Sequence, residues 1–264
     1  VGLARTLAFT AGLRYDHHEL FGHEFSPRAY LVWEATPDLV VKGGYGHAFK
    51  APTLKQISPD YVGAEGPHTF MGNAAIRPES LDSAELAANW QLGVLNLQAT
   101  LFRSEVKDLI TYRLLRVEGP RHFYQYDNVD RARLQGLETG LVWDIGPAWS
   151  WQASWSVLGG KDGHSGERLE YRPRSSATSH LDWTGPAGWS ARVGMQRIGS
   201  QHANQGELPA YTLWTLRLAK TLGAACDVAL ALENAGNVRL AEKSPLFGYA
   251  ERGRTLSANL RYRF

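Results

Sequence analysis

The sequence predicts an all-β protein, a transmembrane antiparallel up-and-down β-barrel with about twelve strands present. Three observations carry this. The last ten residues alternate without exception: Leu256, Ala258, Leu260, Tyr262 and Phe264 on one side, Thr255, Ser257, Asn259, Arg261 and Arg263 on the other. Ten residues is about the length of a tilted strand that crosses a bilayer. The connections between such segments alternate between short turns and long loops, so one end of the structure is trimmed and the other decorated. Finally, one face of each strand is Leu, Val, Ala and Trp while the other is Thr, Ser, Asn, Gln, Glu and Arg, which suits a lipid-facing outside and a wet lumen.

The bulk composition agrees. Lys plus Arg is 28 and Asp plus Glu is 26 in 264 residues, a net charge of +2 that gives no electrostatic basis for nucleic acid binding. The chain is 44% hydrophobic with a mean hydropathy of −0.31. It holds no apolar run of the roughly eighteen residues that a membrane helix needs. Nine Trp and eleven Tyr are enough to furnish aromatic girdles. Cys226, the only cysteine, excludes an intrachain disulfide and reads as a small apolar residue in phase with Val228, Leu230 and Leu232. The opening Val1-Gly2-Leu3 carries no signal peptide, so an exported protein is expected to be represented by its mature form or an excised part.

In order, the first strand is read through Leu3, Leu7, Phe9, Ala11, Leu13 and Tyr15. A polar loop at 16–24 leads to Ala29, Leu31, Trp33 and Ala35, and the turn at Pro37 leads to Leu39, Val41, Gly43 and Tyr45. The segment 50–78 is rich in Pro and Gly and is expected to be irregular. Ala84 to Trp90 and Leu95 to Leu101 flank a turn at Gly93. After a loop at 112–124, strands with Leu137 to Ile145 and Trp149 to Val157 flank Pro147. A loop at 160–171 precedes strands carrying Leu181 and Trp183, then Trp189 to Met195, on either side of Pro186. The loop 200–209 precedes strands with Trp214 to Leu218 and Val228 to Leu232 about Gly223; the loop 236–252 precedes the final strand. No helix is expected. If the long loops are extracellular, both termini are periplasmic.

Several segments at the loop edges carry more than periodicity. They are Phe49-Lys50-Ala51-Pro52-Thr53-Leu54, Gly72-Asn73-Ala74-Ala75-Ile76-Arg77-Pro78-Glu79, Tyr126-Asp127-Asn128-Val129-Asp130-Arg131-Ala132 with Leu134-Gln135-Gly136-Leu137-Glu138, Leu232-Glu233-Asn234-Ala235, and Gly253-Arg254-Thr255-Leu256. In this order they resemble the C-terminal half of a TonB-dependent outer-membrane receptor. The likeness is to the ferric-catecholate siderophore and colicin I receptor branch, and Phe102–Ile110 looks like that branch too. The chain departs from the pattern at Ala74-Ala75-Ile76 and at Asn234-Ala235-Gly236.

The resemblance implies that residues 1–264 are the C-terminal portion of a 22-stranded barrel whose plug domain is not in this chain. It implies active transport of an iron chelate across the bacterial outer membrane, driven by the TonB complex acting through the plug. Outer-membrane lipid, lipopolysaccharide and the barrel-assembly machinery are implied partners, colicins or phage are further ones, and no covalent cofactor is expected. Phe264 stands where the assembly machinery reads an aromatic terminus in such receptors.

A ferric catecholate is anionic and aromatic, and calls for Arg or Lys as counter-charge and for aromatic rings to stack. The loop residues of those types are Lys50, Lys55, Tyr61, Phe70 and Arg77, then Tyr112, Arg113, Arg116, Arg121, Phe123 and Tyr124, then Arg168, Tyr171, Arg172 and Arg174, and finally Lys243, Phe247, Tyr249 and Arg252. The plain alternative for each is a solvated loop charge, a lipopolysaccharide contact or a girdle ring. His68 joins them as a residue that could ligate iron if the cargo were haem, with His202 as a second axial ligand; no metal site is expected otherwise. Haem uptake by the same superfamily and a passive twelve-stranded channel are the competing readings. The lumen charges Arg14, Lys42, Glu85, Glu138, Asp144, Arg192, Arg217, Arg261 and Arg263 are expected to pair with one another or with a plug. An enzyme is not expected, because Ser179 points away from the face shared by His180 and Asp182 and no nucleophile motif surrounds them.

Overall fold

A computed structural model describes residues 2–4, 6–66, 68–163, 165–203 and 206–263, without the side chains of 2–4, 129 and 130. Val1 and Phe264, both named in the sequence reading, lie outside the described residues. The chain forms β1 (Gly2–Ala4), β2 (Leu7–His18), β3 (Gly22–Thr36), β4 (Leu39–Lys50), α1 (Leu54–Ile57), β5 (Val62–Glu65), β6 (His68–Met71), β7 (Glu79–Leu92), β8 (Leu95–Glu118) and β9 (Arg121–Asp144). It continues with β10 (Trp149–Asp162), β11 (Ser175–Thr184), β12 (Trp189–Ile198), β13 (Gln201–Ala203), β14 (Gly206–Leu208), β15 (Tyr211–Leu222), β16 (Cys226–Glu233), α2 (Leu240–Lys243) and β17 (Thr255–Tyr262).

One large sheet runs β1-β2-β3-β4-β7-β8-β9-β10-β11-β12-β15-β16-β17, every neighbouring pair antiparallel. Once the loop elements are set aside, chain order equals sheet order, which is the up-and-down topology. The short β1 is followed by twelve longer strands.

The alternation sorts the side chains as expected. Outward Leu13, Leu31, Leu86, Leu101, Leu216, Leu256 and Leu260 are exposed, the last two at 72%. A soluble domain would hide these residues; a bilayer receives them. Trp33, Trp90, Trp143, Trp149 and Trp189 stand exposed at the short-turn end. In register, Trp143 faces Trp151 and Trp149 faces Trp183. Tyr15, Phe25 and Tyr45 mark the opposite rim. Such rings belong at the two membrane interfaces. All five short turns lie where the sequence places them, at Pro37, Gly93, Pro147, Pro186 and Gly223. Gly93 and Gly223 adopt φ of +59° and +64°, a left-handed conformation that side-chain-bearing residues enter at a cost.

The structure corrects the sequence reading at several points. Leu3 and Leu7 do not share a strand: Ala4 pairs with Leu7, so β1 and β2 are separate antiparallel strands. The region 112–124 is not a loop. β8 and β9 pair out to Glu118 and Arg121, with only Gly119 and Pro120 between them. Above the bilayer both faces of a hairpin meet water, so the polarity that marks a loop inside a membrane pattern marks nothing there. Likewise β2 and β3 pair to His18 and Gly22. The segments 50–78, 200–209 and 236–252 contain the one-turn helices α1 and α2 and the hairpins β5–β6 and β13–β14.

Four of the lumen charges, Arg14, Glu85, Arg192 and Arg263, find partners other than those expected. Arg192 binds Asp182 at 2.6 Å, Arg14 binds Asp16 at 2.7 Å and Arg263 binds Asp227 at 3.3 Å. The Tyr30 hydroxyl donates to Glu85 while its ring lies over Gly44, where a Cβ would come within 2.6 Å of it.

Candidate functional site

The candidate surface lies at the long-loop end, and β8 and β9 build its scaffold. Each is a 24-residue strand, about twice the length needed to cross a bilayer, so the hairpin projects beyond the apolar band. The long connection between β4 and β7 folds against it. β6 adds to β9 as a parallel strand, with Thr69, Phe70 and Met71 opposite Phe123, Tyr124 and Gln125.

Backbone-directed asparagines fasten this arrangement. Asn73 donates to the Tyr126 carbonyl at 3.0 Å. Asn128 donates to the carbonyls of Arg77 and Asp108 and accepts from the Arg77 amide at 2.8 Å. Gly72 passes so close to the Ser58 carbonyl that a Cβ would stand 1.8 Å from its oxygen. Ile76 is buried beside these contacts. The family-like segments Gly72–Glu79 and Tyr126–Ala132 are therefore loop anchors.

On this scaffold the rings converge. Phe70 stacks on Tyr124 with centroids 5.2 Å apart and planes 19° from parallel; Tyr112 meets both edge-on at 5.2 and 5.1 Å. Tyr126 lies 6.2 Å from Phe70. His68 sits 4.9 Å from the His122 ring and 5.7 Å from Tyr124, and its enclosed Nδ1 has no hydrogen-bond partner among the described residues. The Lys55 ammonium, carried by α1, lies 5.9 Å from the Tyr61 ring and 5.8 Å from the Tyr126 ring, and bonds Glu65 at 3.1 Å. Tyr126 first, and then Glu65, holds this amine above the ordinary lysine range. It stays cationic at any physiological pH.

The structure thus brings Lys55, Tyr61, His68 and Tyr124 together. The nearby cations carry partners on their own hairpin or its base: Arg113 with Asp127 at 3.1 Å, Arg116 with Glu118 at 2.6 Å and over the Phe123 ring at 4.0 Å, Arg77 with Asp108 at 2.5 Å, and Lys50 with Glu79 at 2.8 Å. Exposed pairs of this kind contribute little and can be traded for a ligand. Arg121 is exposed near the hairpin tip.

Arg172, Arg174 and Tyr249 belong to a second assembly. Arg172 is exposed, Arg174 pairs with Glu207 at 3.5 Å, and Tyr249 meets Phe247 edge-on at 5.7 Å and Gln201 at 3.5 Å. Beneath them Ala203, Leu208, Tyr211, Leu240 and Phe247 form a closed core, pinned by Asn234, whose amide donates to the Val238 and Arg252 carbonyls. His202 lies on β13 in this assembly, opposite Glu207, so its neighbour is not His68. His122 and Tyr126 were not among the expected site residues; the parallel addition of β6 to β9 brings them in.

Ser179 accepts the Trp151 indole N–H at 2.9 Å on the outward face and Asp182 is occupied by Arg192, so no nucleophile–base–acid relay forms around His180. Among the described residues, no three His, Cys, Asp or Glu side chains converge closely enough to hold a metal ion.

The family described as "TonB dependent receptor-like, beta-barrel" matches residues 2–238. The ferric enterobactin receptor of Pseudomonas aeruginosa is 29% identical to the chain, over 73% of the chain and 28% of that receptor. The heme/hemopexin utilization protein C of Haemophilus influenzae is 30% identical over 50% of the chain and 22% of that protein. A crystal structure of the ferric enterobactin receptor from Pseudomonas aeruginosa superposes with a TM-score of 0.80 at 24% identity, covering 99% of this chain and 43% of that one; at that identity it establishes the shared fold. The chain spans less than half the length of the relatives it matches.

Proposed function

The chain belongs to the TonB-dependent receptor β-barrel family, whose members are outer-membrane transport receptors, and from that premise we propose that it forms the C-terminal barrel portion of a receptor for a ferric siderophore of the catecholate class. Residues 1–264 then supply twelve strands of a larger, 22-stranded barrel. The long-loop end faces the exterior and both ends of this segment face the periplasm. A plug supplied by the rest of the protein fills the lumen and transmits the pull of the TonB complex. Outer-membrane lipopolysaccharide surrounds the rim, and the barrel-assembly machinery inserts the chain.

The observation that carries the ligand class is the convergence of Phe70, Tyr112, Tyr124 and Tyr126 with the Lys55 ammonium at the exterior end. A tris-catecholate complex is a trianion faced with aromatic rings. Rings stack on its catechols, while Lys55, Arg113 and Arg116 supply counter-charge. Arg77, Arg121, Arg172, Arg174, Lys50 and Tyr249 form an outer ring that attracts the anion before it docks.

A second reading, haem uptake, draws on His68, whose enclosed Nδ1 is unpartnered beside His122. Equilibrium binding to the purified receptor separates the two. We expect ferric catecholates to bind more tightly than haem. Tighter haem binding that disappears in His68→Ala would sink the siderophore reading.

A further inference from the structure

We propose that the tip of the β2–β3 hairpin carries an open binding site for a divalent transition-metal ion, formed by His17, His23 and the Tyr15 hydroxyl. It is separate from the aromatic cluster and does not rest on the siderophore reading.

His17 and His23 are directly opposed cross-strand partners, so their side chains leave the hairpin on one face. Their rings lie nearly parallel, with centroids 4.5 Å apart and planes at 25°, and their Nδ1 atoms are 3.1 Å apart. Tyr15, two residues back on the same face, places its hydroxyl against His23 Nδ1 and packs its ring 5.6 Å from that imidazole.

Hydrogen bonding alone serves this cluster poorly. A neutral imidazole Nδ1 is either one N–H or one lone pair, directed along one line in the ring plane. His23 Nδ1 faces two polar atoms from different directions, so either arrangement satisfies one contact and leaves the other poorly directed. A cation that accepts the lone pairs removes the conflict. With bonds of about 2.0–2.1 Å from each nitrogen, a separation of 3.1 Å gives an N–metal–N angle of about 95–100°, between the cis angle of tetragonal copper and the tetrahedral angle of zinc.

The position is preorganised and accessible. The turn is held by the Leu20 amide donating to His18 Nδ1 at 3.2 Å, by the Phe21 amide donating to the His18 carbonyl at 3.2 Å, and by Gly22 at φ +77°. His17 and His23 are both exposed, beyond the outward Leu13 and Tyr15. The carboxylates adjacent in sequence to the two histidines have partners, Asp16 in Arg14 at 2.7 Å and Glu24 in His47 at 3.2 Å, while Glu19 stands exposed in the turn. Two neutral imidazoles and a phenol favour Cu²⁺ over Zn²⁺ and reject Ca²⁺ and Mg²⁺, which need several hard oxygens. Coordination positions left to water make the ion exchangeable. Bound there, it would clamp the two strands at their tip.

The test is a Cu²⁺ titration of the detergent-purified receptor followed by electron paramagnetic resonance, with heat-modifiable gel migration confirming that each variant is folded. We expect one tightly held equivalent, with superhyperfine splitting from two imidazole nitrogens. His17→Gln and His23→Gln should each weaken binding by about tenfold or more, roughly 1.4 kcal/mol or greater. The double variant His68→Gln/His122→Gln, which removes the other histidine pair, should leave the signal unchanged. A two-nitrogen spectrum that survives His23→Gln, one that vanishes with His68 and His122, or the absence of a stoichiometric site overturns the proposal.

Discussion

The assembly of β5 and β6 against β9 holds its rings half open, whereas the assembly of β13, β14 and α2 closes its rings over a dry core. Both sit at the same end of the barrel, and both were legible as loops rich in aromatic and basic residues. Their partners differ. In the first, Phe70 is surrounded by Tyr112, Tyr124 and Tyr126, with His68 and His122 against Tyr124 and Lys55 at the margin. Rings with polar tips are sealed from water only where the tip finds a hydrogen-bond partner, and in this assembly Tyr112 stays exposed while Phe70 and Tyr124 are half-buried. In the second, Phe247 and Tyr211 pack with Leu208, Leu240 and Ala203, and Ile198, Leu213, Val238 and Leu246 close the sides. Aliphatic side chains fill space and expel water. The difference teaches that an aromatic loop residue belongs to a binding surface or to a fold core according to what packs against it.

The comparison can be broken experimentally. The largest expected effect comes from Gly72→Ala. The new methyl would stand 1.8 Å from the Ser58 oxygen, so the backbone must move and β6 must part from β9. Hydrogen-exchange protection should be lost across 54–73, and ferric-catecholate affinity should fall by more than about tenfold, a loss above ~1.4 kcal/mol; protection at 201–208 should not change. Next is Leu240→Ala, which empties a fully buried site and should destabilise the second assembly by about 2–4 kcal/mol. Proteolysis within 236–252 reports this, while affinity should shift by less than about twofold, under ~0.5 kcal/mol. Equal losses of affinity in these two variants would abolish the distinction between binding surface and core. The smallest contrast is Tyr124→Ala against Tyr249→Ala. Calorimetry should find a loss of about fivefold to tenfold for the first, from removed stacking, and about twofold or less for the second.

The strands were legible because a bilayer enforces a rule at every position. Each outward residue meets lipid, each inward one meets water, and the backbone must be fully paired. Twelve long strands and five short turns follow from that rule, down to Gly93 and Gly223 at left-handed φ. The rule lapses at the rim, and the reading failed there. The paired extensions at 112–118 and 121–124 looked like a loop, because both faces of a hairpin in water tolerate any polar residue.

The candidate site was legible by residue type alone. Lys55, Tyr61, His68 and Tyr124 were named and do meet, but Arg172, Arg174 and Tyr249 were named beside them with equal warrant and lie over a different core. His122 and Tyr126 were passed over.

By itself, the sequence determined the strands: their number, order and facing, all consequences of local period and of the solvent on each side. Only the tertiary structure decided which loop residues form a surface. That depends on the parallel docking of β6 on β9, fastened by Asn73, Asn128 and Gly72. Those contacts join positions about fifty residues apart, a separation over which no periodicity survives and where only the geometry of packed backbone and side chain selects the partner.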